Sequence, residues 1–312
     1  MTLLQIRYIL SIVSAGSMNK AAEKLYVSQP TLTSAIKEAE KELGFPLFKR
    51  SNQGVALTNE GEEFMAYARQ IWQSYDLMEK HFRDPALRKR KFAVSTQHYS
   101  FVTKAFIETV RDFGTSRFDF AIRETTTGDV IRDVTEGRSA YGFLYRSRYN
   151  KPVLSKILKE NKLEFVKLLD CRVCVYLAKK HPLAGHECIT EKDLEPYPFL
   201  TFEQGEDSSG FFAEEIYSEK EHARSIHTTD RAAMLNLMSG LDGYTLCSGI
   251  IEDDLNGDYL AIPYVDTEIK HQDVMEVGYI QKKGFEGDAV SEKFLYEVKK
   301  MLREGNESAI LL

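Results

Sequence analysis

One stretch near the amino terminus decides the fold: residues 16–50 read GSMNKAAEKLYVSQPTLTSAIKEAEKELGFPLFKR. Its apolar residues recur every three or four positions, which is the spacing of one face of an amphipathic helix. Gly16 is suited to end a preceding helix over residues 3–15, while Ser17 and Ser28 are suited to cap the two helices that follow. The stretch therefore predicts three short helices connected by tight turns.

The third of these helices has the composition of a helix that reads DNA. Leu32, Ile36 and Ala39 form its buried stripe, whereas the opposite side near its start carries short hydrogen-bonding groups and one cation. Such groups can meet base edges and phosphates in a major groove. A solvated face of some other helical bundle is the alternative interpretation. The predicted DNA contacts on this helix are Ser28, Gln29, Pro30, Thr31, Thr33, Ser34 and Lys37.

A β-hairpin is predicted directly after the third helix. Residues 46–50 and 55–57 are short strand-like runs that flank Ser51-Asn52-Gln53-Gly54, a sequence typical of a turn. A hairpin beside the third helix would place the basic side chains near its tip close to the phosphates. Lys49, Arg50 and Gln53 are therefore predicted to contact DNA as well.

Charge is distributed unevenly along the chain. Residues 1–60 carry seven basic and five acidic side chains, a net charge of +2, whereas the whole chain carries −6. The remainder of the chain is therefore acidic, at −8. A mildly basic amino-terminal region favours local contact with phosphates, and the acidic remainder of the chain is repelled by DNA.

Three segments within this region resemble the signature of the LysR-type transcriptional regulators: residues 16–25, 27–33 and 42–50. The resemblance covers about the first 65 residues, and Ser34-Ala35 departs from it where a basic or amide residue is common. It implies a winged helix-turn-helix that binds double-stranded DNA at an interrupted palindrome, as an oligomer. It also implies that a small-molecule effector modulates this binding.

A single long helix is predicted over residues 58–84, with Thr58 as its cap and acidic residues in its first turn. Its apolar residues then repeat at alternating spacings of four and three, a heptad seam longer than a small domain buries. Pairing with the same helix of a second copy explains the seam, and packing onto its own domain is the alternative. The predicted dimerisation residues are Phe64, Ala68, Ile71, Trp72, Tyr75, Met78 and Phe82. The resemblance implies an antiparallel homodimer of linker helices, and a homotetramer when the sensor domains also pair.

From residue 91 onward, strand-like runs alternate with helical patterns, which predicts largely parallel sheets. Their order predicts two α/β lobes joined by crossings near residues 160 and 265, and the resemblance implies the same periplasmic-binding-protein-like arrangement. The predicted fold is therefore multidomain: an all-α-dominated winged helix-turn-helix with a long linker helix, then a two-lobed α/β effector domain. The predicted boundaries are 1–60 for the DNA-binding domain, 58–84 for the linker helix, 91–162 with 266–305 for the first lobe, and 163–265 for the second.

Ligands of open α/β sheets bind beyond the carboxyl ends of the strands, where helix amino termini offer free amides. In this chain those positions are rich in hydroxyl groups, which suits a small anionic or polar metabolite. Ser95 and Thr96 are expected to donate hydrogen bonds to an anionic group of that effector. For each hydroxyl alone, a role as a helix cap is the alternative. The predicted effector-binding residues are Ser95, Thr96, Gln97, Tyr99, Thr125, Thr201, Phe202, Cys247 and Ser248.

No arrangement of residues in the sequence requires catalysis, so the chain is predicted not to be an enzyme; an α/β enzyme fused to a DNA-binding domain is the alternative. Nucleophile-elbow, P-loop, zinc-protease and dinucleotide-binding motifs are absent from the sequence. Cys171 and Cys174 lack a second such pair, and His181, His186 and Cys188 share no helical face. No metal site and no cofactor are therefore predicted.

The sequence also bears on location. It contains neither a secretory signal nor an apolar run of about 18 residues. Four cysteines in 312 residues provide no disulfide framework. These features predict a cytoplasmic protein without a membrane partner.

Overall fold

The computed structural model describes residues 1–51, 54–83, 89–113, 117–205, 209–266 and 273–304. It consists of two compact units, Met1–Arg88 and Lys89–Leu312. Among the described helices, none combines the length and the apolar character needed to cross a bilayer.

The described part of the first unit consists of α1 (Leu3–Ala15), α2 (Met18–Leu25), α3 (Gln29–Leu43), a hairpin of β1 (Phe48–Ser51) and β2 (Gly54–Leu57), and α4 (Asn59–Arg83). Gly16 and Gly44 end α1 and α3 with φ of 66° and 82°, in the left-handed region that glycine adopts without strain. Ser28 begins α3, because its side chain accepts a hydrogen bond from Thr31 N at 3.2 Å. The predicted arrangement of three helices and tight turns is confirmed.

The core of this unit is formed by the apolar stripes of its helices. Ile9, Ile12, Leu32, Ile36 and Leu47 are each at most 1% exposed. Fully burying a side chain of this kind stabilises the fold by about 1.5–3 kcal/mol. The polar side of α3 is therefore held outward by its own buried stripe.

The start of α4 is fixed closely against the chain that precedes the hairpin. Thr58 Oγ1 accepts a hydrogen bond from Gly61 N at 2.8 Å and donates one to Pro46 O at 2.8 Å. A Cβ atom on Gly61 would lie 2.3 Å from the carbonyl oxygen of Leu47, so only glycine fits this contact. Thr58 is thus the cap that the sequence predicts. From it, α4 continues for 25 residues, which corresponds to about 37 Å.

The first lobe of the second unit contains one mixed sheet. Its strands are β3 (Arg90–Thr96), β4 (Phe118–Glu124), β5 (Tyr141–Arg146), β6 (Leu163–Arg172) and β13 (Val274–Lys282), in the order β4-β3-β5-β13-β6. Its helices are α5 (Ser100–Phe113), α6 (Thr127–Thr135), α7 (Lys151–Glu160) and α11 (Ala289–Glu304). β3 is parallel to β4 and β5, whereas β13 is antiparallel to β5 and β6.

The second lobe contains a second mixed sheet. Its strands are β7 (Cys174–Ala178), β8 (Ile189–Thr190), β9 (Phe199–Phe202), β10 (Ser225–Thr228), β11 (Tyr244–Cys247) and β12 (Tyr259–Val265), in the order β10-β9-β11-β7-β12-β8. Its helices are α8 (Glu191–Leu194), α9 (Arg231–Gly240) and α10 (Asp253–Asn256). β9 is parallel to β10 and β11, whereas β7 is antiparallel to β11 and β12.

The structure corrects two expectations about these lobes. β6, expected in the second lobe, belongs to the first, because it pairs with β13 along its whole length. The first crossing between the lobes is therefore at Val173, between β6 and β7, and not near residue 160. The sheets are mixed and not largely parallel, since hydrophobic patterning indicates which residues form strands but not the direction in which each strand runs.

The two lobes share one hydrophobic core. Phe101, Phe143 and Phe294 are fully buried in the first lobe, as are Leu177 and Phe199 in the second. All five belong to a single cluster of buried residues that contact one another. This continuous packing holds the two lobes around a common cleft.

Candidate functional site

The predicted DNA-reading side of α3 is exposed in the structure. Gln29 Nε2 donates to Thr33 Oγ1 at 3.0 Å, and Ser28 Oγ lies 2.7 Å from Thr31 Oγ1. These hydrogen bonds orient the polar groups of the first helical turns. Ser28, Gln29, Pro30, Thr31, Ser34 and Lys37 are exposed, and Thr33 is half-buried.

The hairpin and the turn before α3 add to this surface. The side chain of Lys49 is exposed. Arg50 lies in β1, but its side chain and the whole of Gln53 lie outside the described residues. Tyr26, which the sequence pattern marks only as a turn residue, is 96% exposed and has a φ of 56°. An exposed aromatic side chain next to α3 is a further candidate for DNA contact.

The long helix α4 begins as part of its own domain. Met65 and Ala68 are 3% and 1% exposed, and Phe64 packs against the same core. α4 contacts α1, and the burial of Met65 and Ala68 shows that this part of the predicted seam is covered within one copy of the chain. The structure therefore corrects the assignment of Phe64 and Ala68 to a dimer interface and supports the alternative of packing onto the helix's own domain.

Farther along α4, the apolar side chains are not buried in their own unit. Trp72 and Tyr75 are half-buried, with ring centroids 5.4 Å apart. The large apolar side chains that are exposed on this helix include Tyr67, Ile71, Leu77, Met78 and Phe82. Of the remaining predicted dimerisation residues, Ile71, Met78 and Phe82 are therefore exposed, and Trp72 and Tyr75 are half-buried.

In the second unit, a cavity of about 100 Å³ lies between the two lobes. Its wall comes from the residues that follow β3, the ends of β9 and β11, the segment around Glu214, and the start of α9. Of the predicted effector-binding residues, Gln97, Tyr99, Phe202, Cys247 and Ser248 line it. The rule that ligands bind at strand ends therefore locates this cleft.

Ser95 and Thr96 do not line the cavity. Both side chains are fully buried. Ser95 Oγ donates to Asp133 Oδ2 at 2.5 Å and lies 2.8 Å from Ser139 Oγ, while Thr96 Oγ1 donates to Gln97 O at 2.6 Å. These hydroxyls already have acceptors in the protein, which corrects the expectation that they donate to an effector.

Two other predicted hydroxyls are also engaged outside the cavity. Thr125 Oγ1 donates to Asp129 Oδ2 at 3.3 Å, and Thr201 Oγ1 lies 2.8 Å from His227 Nδ1. Thr201 borders a second cavity, of about 570 Å³, whose wall also includes Tyr149 of the first lobe. Strand-end position alone thus does not determine which side chain faces the cleft.

A contact between the lobes, absent from the sequence prediction, closes one side of the cleft. The ring of His98, which follows β3, stacks on Phe202 with centroids 3.6 Å apart and planes within 5°. The backbone N of His98 donates to Glu214 Oε2 at 3.1 Å, and Nδ1 of its ring lies 2.8 Å from the same oxygen. His98 of the first lobe is therefore held between two residues of the second.

Arg231 and Glu124 form a second contact between the lobes. Arg231 Nε and Nη2 donate to the two carboxylate oxygens of Glu124 at 3.1 and 2.8 Å. This fork geometry is the strongest arrangement available to an arginine and a carboxylate. Arg231 lines the cavity, but its charge is matched by Glu124.

Two adjacent carboxyl groups form the acidic part of the cavity wall. Glu214 and Glu215 both line it, and their exposed fractions are only 6% for the Glu214 side chain and 4% for Glu215. Phe202 N donates to Glu215 Oε1 at 3.1 Å. Burial raises the pKa of Glu215 well above its ordinary value, the neighbouring Glu214 raises it further, and the hydrogen bond from Phe202 lowers it.

Both units match models of known protein families. Residues 3–62 match the bacterial regulatory helix-turn-helix proteins of the lysR family, and residues 115–300 match the LysR substrate binding domain. The chain belongs to the LysR family. Its two units therefore correspond to the two parts from which proteins of this family are built.

Relatives of this LysR-family chain have names of transcriptional regulators. It is 26% identical over 207 residues to a "Probable RuBisCO transcriptional regulator" of Guillardia theta, covering 65% of this chain and 64% of that protein. It is 27% identical over 206 residues to the "HTH-type transcriptional regulator AlsR" of Bacillus subtilis, covering 64% of each. The chain thus spans just under two thirds of the length of these two relatives. Their names are those of regulators, which disfavours the enzymatic alternative.

A solved structure shares the fold of this LysR-family chain. The "Corynebacterium glutamicum OxyR C206 mutant" superposes with a TM-score of 0.60 at 18% sequence identity, covering 98% of this chain and 94% of that one. At this identity the similarity shows the fold alone. A winged helix-turn-helix followed by a two-lobed α/β domain is therefore the architecture of this LysR-family chain.

Cys171, Cys174 and His181, three of the residues considered for metal binding, are buried in the second unit. Cys171 lies in β6 and Cys174 in β7, and burial raises their pKa values to about 12 and about 11, which keeps both thiols neutral. His181 Nδ1 accepts a hydrogen bond from Leu183 N at 3.0 Å, and its Nε2 lies 2.9 Å from Asp242 O. Within the described part of the chain, no three His, Cys, Asp or Glu side chains are grouped to hold a metal ion.

Proposed function

We propose that this protein is a cytoplasmic transcriptional regulator that binds an interrupted-palindrome operator. Its affinity for this operator is controlled by a small polar molecule bound between the lobes of its second unit. The observation that carries the proposal is the exposed, internally hydrogen-bonded polar start of α3, together with an exposed basic residue of the hairpin that follows this helix. DNA would be the partner of the first unit. The effector would be the partner of the second.

Two kinds of DNA contact are combined in the first unit. Gln29 and Thr31, at the start of α3, carry the short polar groups that can distinguish base edges. Lys49 on the hairpin and Lys37, farther along α3, supply positive charge that can contact phosphates. Base contacts set the preferred sequence, and phosphate contacts set the overall affinity and its salt dependence.

A selection of binding sequences from a random duplex library tests this division. Gln29→Ala is expected to change which sequences are recovered. Lys49→Ala is expected to weaken binding to all sequences and to reduce the slope of log affinity against log salt concentration by about 1. Lys180→Ala, which removes an exposed lysine of the second unit, is the matched control and should bind as the parent does. Equal weakening on all sequences by Gln29→Ala would contradict the proposal.

The exposed part of α4 supports a homodimer. Ile71 and Met78, seven positions apart, present apolar area that a second α4 would remove from water, at about 25 cal/mol for each Å² buried. Two copies also fit a palindromic operator, because a protein two-fold axis matches a two-fold axis of DNA. A homotetramer, formed when second units also pair, is part of the same proposal.

The cleft supports control by a small molecule. Its wall combines residues of both lobes, and His98 with Phe202 and Glu124 with Arg231 join the lobes beside it. A molecule in the cavity would therefore bind best when the lobes are in this arrangement. Its different affinity for other arrangements is what would change the affinity for DNA.

A thermal-shift screen of small metabolites on the full chain tests this part. A ligand present at about 100 times its Kd is expected to stabilise the second unit by about 2.7 kcal/mol. Phe202→Ala, which removes a ring from the cavity wall, should reduce that shift. Phe118→Ala, a change of the same size that lies outside the cavity wall, is the matched control.

A further inference from the structure

We infer that the cleft takes a small cationic molecule, a short primary amine or guanidinium compound, and not an anion. The inference rests on the proposed function in one respect, namely that this cavity is the effector site. The inference specifies the charge of the ligand. The hydroxyl-rich sequence pattern predicts only a ligand that is anionic or polar. The residues that decide it are Glu214, Glu215 and Thr245.

The charges on the wall favour a cation. Glu214 and Glu215 contribute two carboxyl groups. His98 is the basic group nearest to them, with Nδ1 2.8 Å from Glu214 Oε2, and the side-chain hydrogen bonds of Arg231 run to Glu124. Among the described residues that line the cavity there is no lysine. An anion would therefore enter beside two acidic groups without a free cation to receive it.

Unpartnered oxygen atoms indicate which kind of group this wall can bind. Glu214 Oε1, Glu215 Oε2 and Thr245 Oγ1 are buried without a hydrogen-bond partner, and all three residues line the cavity. A buried polar atom without a partner costs about 1–3 kcal/mol. An ionised carboxylate only accepts hydrogen bonds, whereas an ammonium group offers three donors and no acceptor. A cation with several N–H groups offers the kind of donor that these oxygens lack within the protein.

The rest of the wall sets the size and the body of the ligand. Apolar side chains form much of it, including Met234, Leu246, Ile250 and Met275, and Gln97, Ser100, Ser248 and Asn256 are its neutral polar residues. A cavity of roughly 150 Å³ is known to admit benzene, so the 100 Å³ measured here suits a shorter molecule. A charged head with a short alkyl chain matches both features.

Proton release gives a signature specific to Glu215. Because burial opposes its ionisation, a bound cation would favour the carboxylate, and the proton would pass from the carboxyl group to solvent. Two nearby histidines can also exchange protons when a cation binds. Comparing the parent with Glu215→Gln therefore shows whether the released proton comes from Glu215. The other titratable or charged groups that line a cavity with Glu215, or interact with it electrostatically, are His98, Tyr99, Tyr145, Tyr149, Tyr176, Glu203, Glu214, Glu219, His227, Arg231 and Cys247.

Calorimetry on the full chain with three probes of similar size tests the inference: n-butylammonium, 1-butanol and butyrate. Butylammonium is expected to bind, and butyrate is not. Glu214→Gln and Glu215→Gln should each weaken butylammonium binding by about tenfold or more. In buffers with different ionisation enthalpies, the parent should release more protons on binding than Glu215→Gln. Glu203→Gln, which removes an exposed carboxylate outside this cavity, should behave as the parent.

Thr245→Val keeps the inference testable should a glutamine variant fail to fold, as circular dichroism would show. It removes the third oxygen without a change of charge, and a loss of about threefold is expected. Preference for butyrate, equal binding by the parent and all three variants, or no butylammonium binding at millimolar concentration would each overturn the inference. Sequence selection by α3 would survive any of these results. Its loss, with butylammonium binding intact, would instead contradict the proposed function.

Discussion

The start of α3 and the cleft between the lobes are both surfaces for recognition, but they are assembled differently. On α3, Gln29 bonds to Thr33 and Ser28 to Thr31, so each pair lies within four positions of the chain. In the cleft, His98 meets Glu214 across 116 positions, and Glu124 meets Arg231 across 107. The residues of the first surface can therefore be recognised from their spacing in the sequence, whereas those of the second cannot.

The two surfaces also differ in their exposure to water. Gln29 and Thr31 are exposed, so water satisfies whatever their neighbours do not. Glu214 and Glu215 are almost wholly buried, so each missing partner raises the free energy of the folded state. Substitutions on α3 should mainly alter binding, whereas substitutions around the cleft should alter stability as well.

The largest effect is expected on α4, where the pattern is local but the partner is a second copy. Ile71→Asp would place a carboxylate in the proposed apolar interface and weaken the dimer by about 3 kcal/mol or more. Sedimentation equilibrium should show monomers, and DNA affinity should fall with dimerisation. Gln70→Asp adds the same charge at the neighbouring exposed position and should leave the dimer intact. An unchanged oligomer for Ile71→Asp would contradict the interface.

The next effect separates structural hydroxyls from ligand-binding ones. Ser95→Ala removes the donor to Asp133 Oδ2 and should lower the free energy of unfolding by about 1–3 kcal/mol, as measured by urea denaturation. Its affinity for a ligand of the cleft should equal that of the parent. Ser155→Ala, at an exposed helix position, should change stability by less than about 0.5 kcal/mol. A stable Ser95→Ala variant with lost ligand binding would restore Ser95 to the effector site.

A pH dependence is expected from Glu215. Burial raises its pKa from the ordinary 4.5, so the folded protein binds more protons than the unfolded chain between that value and the raised one. Within this window, the stability of the parent relative to Glu215→Gln should fall by up to about 1.4 kcal/mol per pH unit as pH rises. Denaturation curves at several pH values measure the difference. Glu203→Gln should run parallel to the parent, and a parallel curve for Glu215→Gln would argue against a buried carboxyl.

The smallest effect is expected at the ion pair between the lobes. Glu124 and Arg231 are each 27% exposed, so their coupling should be about 0.5–1 kcal/mol and should decrease with salt. A double-mutant cycle with Glu124→Gln and Arg231→Gln measures it. The more exposed pair Glu108 and Arg111 serves as control and should couple less. Equal coupling in both pairs would show that contact between the lobes adds nothing to this pair.

Much of the fold was predictable because periodicity is a local signal. The three helices, the hairpin, the long α4 and the carboxyl-terminal helix all follow from spacings within a few residues. The pairing of β6 with β13 was not predictable in this way, since it joins segments about 110 residues apart. The apolar residues of α4 were assigned to a dimer interface only partly correctly. The spacing cannot distinguish a side chain buried within its own domain from one buried by a second copy.

The candidate site was predicted in location but not in chemistry. The strand-end rule leads to Phe202 and Cys247, which line the cavity, and equally to Ser95, which faces the core. Glu214 and Glu215 lie in a segment without helix or strand, so no period marks them. Their importance comes from burial and from absent partners, which only the folded chain reveals.

The crossing at Val173 has a mechanical consequence. One residue separates the end of β6 from the start of β7, and it supplies a single pair of soft backbone torsions. It also spans no more than about 3.8 Å from one Cα atom to the next. Since Val173 is buried within the shared core, this connection cannot lengthen without disrupting that core. Any movement of the lobes at this connection would therefore be a rotation, in which the angle between them changes while their separation stays the same.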